Sequence, residues 1–168
     1  LISFAWLRIG LGGNNMAGKV YRSSVVIPRA QARRIIDAAF AEARAKDMEP
    51  LTLYVMDAGG NLIAAEREDG CAPLRLPVAR GKAYAALGNG VSSRTVGERN
   101  ESRPAFLASV AAASGGHFVP VPGGVLILSD NDEVIGAVGV SGASSDEDEL
   151  VAIVGIEAAG FRPGIVPV

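Results

Sequence analysis

The sequence predicts an α+β domain in which helices cover a central antiparallel sheet, and three observations predict it. First, two segments read as β-hairpins: YVMDAGGNLIAA turns at Asp57-Ala58-Gly59-Gly60, and ILSDNDEVIGAV turns at Ser129-Asp130-Asn131-Asp132. Short polar side chains that bond the local backbone, and glycines that accept positive φ, are the chemistry of such turns. Second, stretches with helical spacing of apolar residues flank both hairpins. Third, nothing alternates strand, helix, strand in the way a parallel sheet requires.

Taken in order, Leu1 to Asn15 are apolar and then glycine-rich, but Arg8 interrupts the run and no cleavage site frames it. Such a stretch is neither a signal peptide nor a membrane span. Met16-Ala17-Gly18-Lys19 has the look of a start, so residues 1–19 are expected to be a leader or tag-like segment, those before Met16 dispensable to the core, and 20–168 a single domain. Val20 to Ile27 is an edge strand or extended lead-in, and Pro28 suits the first turn of a helix. That helix has an apolar stripe of Ala32, Ile35, Ile36, Ala39, Phe40 and Ala43, with Glu42 and Lys46 as an i,i+4 ion pair on its solvated face.

Strands are expected at Leu51 to Met56, Asn61 to Arg67, Val125 to Leu128 and Val134 to Val140. The last alternates large apolar residues with Gly136, Ala137 and Gly139, which leaves one face thin enough to admit a helix, a neighbouring subunit or a flat ligand. Between the hairpins lie a helix from about Leu74 to Leu87, a short one capped by Ser92 or Ser93, and an alanine-rich one from Pro104 to Ala113. Ser144 with Glu147, or Ser145 with Asp148, makes a capping box for the last helix, whose stripe reads Leu150, Ile153, Val154, Ala158. Phe161 to Gly164 ends the fold.

Composition narrows the function. Charged residues are 20% of the 168 and hydrophobic ones 49%, with mean hydropathy +0.27, so polar surface is sparse and a homo-oligomer is expected. The net charge is -2 and no basic block occurs, which excludes the electrostatic footprint of a nucleic-acid binder. One cysteine and one histidine exclude an internal disulfide and a Cys/His zinc cluster. With no span and no signal, the expected location is cytoplasmic, without a membrane partner.

Four blocks, VMDAGGNLIAAEREDG, ARGKAYAA, SGGHFVPVPGGVLIL and EVIGAVGVSGASSDEDELVAIVGIEA, resemble in order and spacing the GlcG/HbpS family, the haem-degrading domain family also found as the C-terminal domain of PduO proteins. The resemblance runs from about Arg29 to Gly160. It implies a profilin-like α/β/α fold with a five-stranded antiparallel sheet, the fifth strand being expected at Phe118 to Val121. It also implies homo-oligomers, and haem as the ligand of some members.

His117 is the only histidine, set between Gly116 and a PVPGG bend, and imidazole is the commonest protein ligand of haem iron. The family more often has an apolar residue there, and an ordinary loop histidine is the competing reading. Tyr21, Tyr54, Tyr84, Met48, Met56 and Cys71 are other conceivable iron ligands, each also explicable as core or surface. Lys82 matches the family's lysine in a K-A-x-x-A pattern and is the expected anion contact on the second helix. Arg67 is placed to fork onto a carboxylate or haem propionate, with a surface pair to Asp69 as the alternative. Gly116, Gly123 and Gly124 complete the expected ligand site, either by exposing backbone to a ligand or by letting helices or subunits approach. No serine-elbow, zinc-protease, P-loop or dinucleotide motif is present.

Two functions fit. One is a small-molecule-binding accessory protein, with haem or a related tetrapyrrole as its ligand. The other is a small cofactor-independent enzyme or metabolic accessory acting on an organic acid or aromatic intermediate, with Arg67, Lys82 and His117 around one pocket. The sequence leaves catalysis undecided.

Overall fold

The computed structural model describes Tyr21 and residues 23–166, so the segment read as a leader and Val20 lie outside the described residues. The described part of the lead-in forms no strand; it buries Ile27 and delivers the chain to helix α1 (Arg29–Ala45). There the Pro28 carbonyl accepts from the Gln31 and Ala32 N–H groups. α1 buries Ala32, Ile35, Ile36, Ala39 and Ala43, the face its period requires, and the Glu42–Lys46 pair forms at 3.4 Å.

Strands β1 (Thr52–Asp57) and β2 (Leu62–Arg67) make the first hairpin. Asp57 Oδ1 accepts from the N–H groups of Gly59 and Asn61, each at 2.9 Å, and Gly60 takes φ 77. In the second hairpin, β3 (Gly124–Leu128) with β4 (Val134–Ser141), Ser129 Oγ accepts from Asn131 and Glu133 N–H and Asp132 sits at φ 63. The fifth strand is β5 (Arg162–Gly164), which pairs with β3 and gives the antiparallel order β2-β1-β4-β3-β5.

Phe118 to Val121 is therefore not the fifth strand. Pro120 and Pro122 lack the N–H a ladder needs, the Val119 N–H is taken by Gly81 O at 3.1 Å, and the segment crosses α2 (Arg75–Asn89) and α3 (Ser93–Arg99) instead. The pieces expected to end the fold supply the strand, with Pro163 tolerated because β5 lies at the sheet edge.

α1 and α5 (Ser145–Ala158) cover one face over a core that includes Leu53, Val55, Val125, Ile127, Val138 and Val140. α2 covers the other, over Tyr54, Met56, Leu126 and Ala137. This is the α/β/α layering the resemblance implied. The thin face of the second hairpin is filled by the chain's own α2: a Cβ at Gly139 would overlap Ala79 O, and one at Gly124 would overlap Lys82 O.

α5 opens as expected, with Ser144 Oγ and the Glu147 side chain forming a capping box. Its buried face differs from the expected stripe: Val151, Ala152, Gly155 and Ile156 point inward while Leu150 is exposed. From Leu150 to Ile156 the helix is apolar on every side, so its phase is set by tertiary contact, where Gly155 lets α5 close on the Ile35 carbonyl of α1.

The close contact of α2 with the sheet predicts opposite outcomes for two glycines. Gly139→Ala forces a Cβ onto the Ala79 carbonyl and is expected to cost about 1–3 kcal/mol or more. Gly88→Ala, in open space within α2, is expected to gain about 0.4–1 kcal/mol. Urea unfolding midpoints of the two variants check both signs.

Candidate functional site

Lys82, expected to be an anion contact on the second helix, is buried in the α2–sheet interface. Its Nζ donates to Asp148 Oδ2 at 2.7 Å, and both side chains are at most 3% exposed. The Ala143 N–H donates to Asp148 Oδ1 at 3.1 Å, which fixes the carboxylate at the start of α5. Burial nevertheless pushes the Asp148 carboxyl above its ordinary range, against the charge and hydrogen bond of Lys82 and the Ala143 N–H.

Gly123 closes over this pair. It stands at φ 116, and a Cβ there would lie 2.9 Å from Lys82 Nζ and 3.0 Å from Asp148 Cβ. Gly124 begins β3, and its N–H donates to Ser93 Oγ at 2.8 Å while Ser93 Oγ donates to Val121 O at 2.6 Å. The two glycines thus serve different ends: one adopts a backbone no side chain favours, the other lets β3 pass beneath α2. Both belong to the same corner of the molecule as Lys82, as the sequence implied, but the corner is packed.

The other half of the expected site faces solvent. Gly115 and Gly116 take φ 67 and 82 and turn the chain out of α4 (Pro104–Ala113), with the Gly116 N–H bonded to Ala111 O at 2.8 Å. His117 follows, exposed, its ring without a hydrogen bond among the described residues. α4 beside it is almost wholly apolar, yet none of its residues is buried. Leu107, Val110 and Ala111 rest partly on a small cluster of Ala85, Val91, Val96 and Phe118, and Phe106 is 43% exposed. An exposed imidazole therefore follows, one tight turn on, an apolar helix that buries none of its residues.

Arg67 lies at the rim of β2 and donates to the Cys71 carbonyl, not to Asp69. It lines an open cleft of about 490 Å³ with Phe40, Arg44, Pro50, Glu66, Glu68 and Asp69. Three carboxylates against two guanidiniums make that cleft acidic, which opposes an anionic ligand. Among the described residues no hydrogen bond or ion pair joins any two of His117, Lys82 and Arg67. Of the other conceivable iron ligands, Met48, Tyr54, Met56 and Cys71 are buried, Tyr84 is half-buried and Tyr21 exposed. No group of three or more His, Cys, Asp or Glu side chains among the described residues could hold a metal ion. No described helix is long and apolar enough to cross a membrane.

Two partnerships were not visible in the sequence. Asp148 read as one of several helix-cap acids, although Lys82 within the apolar run of α2 was a signal that a buried partner was needed. Arg94 of α3 donates to Asp146 and, at 2.7 Å, to Glu149, which together hold the guanidinium above its ordinary pKa.

The fold and these features define a class: an α/β/α protein with an open antiparallel sheet, a packed ionic corner, and an exposed imidazole just beyond an uncovered apolar helix. The chain belongs to the family described as haem degrading protein HbpS-like, which matches residues 27–157. It is 34% identical over 121 residues to protein GlcG of Escherichia coli strain K12, covering 71% of this chain and 84% of that one. The C-terminal domain of PduO in a complex with haem superposes with a TM-score of 0.74 at 21% identity, over 83% of this chain and 99% of that one. HbpS superposes at 0.68 and 22% identity, over 82% and 92%. At these identities the two structures show the shared fold.

The buried ion pair predicts an asymmetric mutational response. Lys82→Ala or Asp148→Ala leaves the partner charge stranded and is expected to cost about 3–5 kcal/mol. The double variant Lys82→Met with Asp148→Leu is expected to recover most of that loss. Chemical denaturation of the three proteins, with a double-mutant comparison, is the measurement.

Proposed function

We propose that the protein is a small-molecule-binding accessory protein whose ligand is haem or a related tetrapyrrole, held at the surface formed by α4 and His117. The observation that carries this reading is the exposed, unbonded imidazole next to an apolar helix that the fold leaves uncovered. A flat apolar macrocycle with a central metal needs those two things, an apolar bed and a ligand reachable from solvent. The haem complex of the PduO domain adds to the support. A bound haem supplies ligand exchange and redox chemistry at its iron. The chain's own contribution is to present the His117 ring on the Gly115-Gly116 turn and to shield one face of the ring system with α4.

Titration of the purified protein with haemin tests this. A saturable Soret shift is expected, weakened by about tenfold or more in His117→Ala, with an unchanged unfolding midpoint because the residue is exposed and its ring makes no hydrogen bond among the described residues. Absence of a spectral change, or equal binding by the variant, overturns the reading.

We also propose that the protein is a homo-oligomer. Leu62, at the start of β2, and Leu74 and Leu76, at the start of α2, are 57%, 69% and 42% exposed, large apolar side chains that a subunit contact would cover. Sedimentation velocity at micromolar concentration is expected to show a species larger than 17.2 kDa, and a purely monomeric profile contradicts it.

A further inference from the structure

Where α2 ends, the sheet is left uncovered. Gly90 stops the helix in a left-handed conformation, its N–H bonded to Ala86 O, and the chain turns away to α3. The second hairpin continues past that point. Leu126, Leu128 and Val134, on the face that α2 covers elsewhere, become the floor of a cavity of about 370 Å³. Val91, Ile165 and Val166 also line it, so most of the lining side chains are apolar.

The charged residues of the lining are Arg162 and Asp132, and they are paired with each other. Arg162 is fixed in β5 opposite Leu128, while Asp132 occupies the left-handed position of the β3–β4 turn. Their side chains remain 53% and 66% exposed, and a solvated pair of this kind adds little stability. Both have capacity left over. Arg162 uses only Nη2 on only Oδ1 of Asp132, which leaves its Nε and Nη1 donors, and the second carboxylate oxygen, without partners among the described residues.

We propose that this cavity binds a free α-amino acid with a large apolar side chain. A ligand carrying one charge must compete with the partner already in place. An amino acid carries both charges on adjacent groups: its carboxylate meets the forked donors of Arg162 and its ammonium meets Asp132, so one weak pair becomes a closed ring of three. The side chain enters the apolar interior, and the volume is that of a single small-molecule site. His117 is not part of the lining, so the site is separate from the haem reading and does not depend on it.

Isothermal titration calorimetry of the full chain with L-phenylalanine, 3-phenylpropionate and phenethylamine distinguishes the contributions. Saturable binding of phenylalanine is expected, with each single-charge analogue weaker by about tenfold or more, the loss of one charge-assisted contact. Arg162→Gln is expected to weaken phenylalanine by a similar factor. Asp132→Asn, a residue that tolerates the left-handed backbone, is expected to remove the preference for phenylalanine over 3-phenylpropionate. His117→Ala is expected to change none of these values. The proposal is overturned by no saturable heat with phenylalanine, by equal binding of 3-phenylpropionate to the unmodified chain, or by an Arg162→Gln variant that binds as tightly. Amide shifts of Val91, Leu128 and Val134 on titration locate the binding, and shifts confined elsewhere also overturn it.

Discussion

The approach of α2 to the sheet governs the rest of the molecule on that side. With Gly124 and Gly139 beneath it, the helix backbone comes within contact of strand backbone, nearer than side chains would allow. At that depth the Lys82 side chain cannot reach water, and a buried ammonium is tolerated only beside a fixed carboxylate. Asp148 supplies it from the first turns of α5, the helix that covers the opposite face. The ion pair thus joins the two helical layers around the end of β4. Gly123 then follows as a steric requirement, since the space above the pair has no room for a Cβ.

Local signals in the sequence were faithful. The Asp57 and Ser129 turns, the α1 stripe and the Ser144 capping box each depend on residues within one turn of one another, and each forms as read. What the sequence hid depends on partners far along the chain. Three residues with a proline at their centre carry no strand periodicity, so β5 becomes legible only when β3 stands beside it. Lys82 finds Asp148 sixty-six residues away. The phase of α5 is decided by α1 through Gly155, because apolar residues on every side give no preferred face.

The glycines of the candidate site show the same limit. Their presence marked the Gly115 to Gly124 segment as unusual, and it is. The sequence did not reveal that its two ends live in different environments, one folded over a buried ion pair and one turning an imidazole into solvent. α4 adds to the contrast: an apolar helix held through a few half-buried residues has little to keep it in place beyond its own backbone bonds. It is the element whose hydrogen bonds should open first under native conditions.

The two edges of the sheet are unequal. β5 is three residues long and has a proline in the middle, whereas β2 presents six residues in extended form. Fibrillar growth by strand addition needs an acceptor at both ends of each unit, and a chain with one blunted end can extend a sheet once and then no further. A protein this apolar is thereby kept from stacking edge to edge without limit, through the placement of Pro163 and not through surface charge.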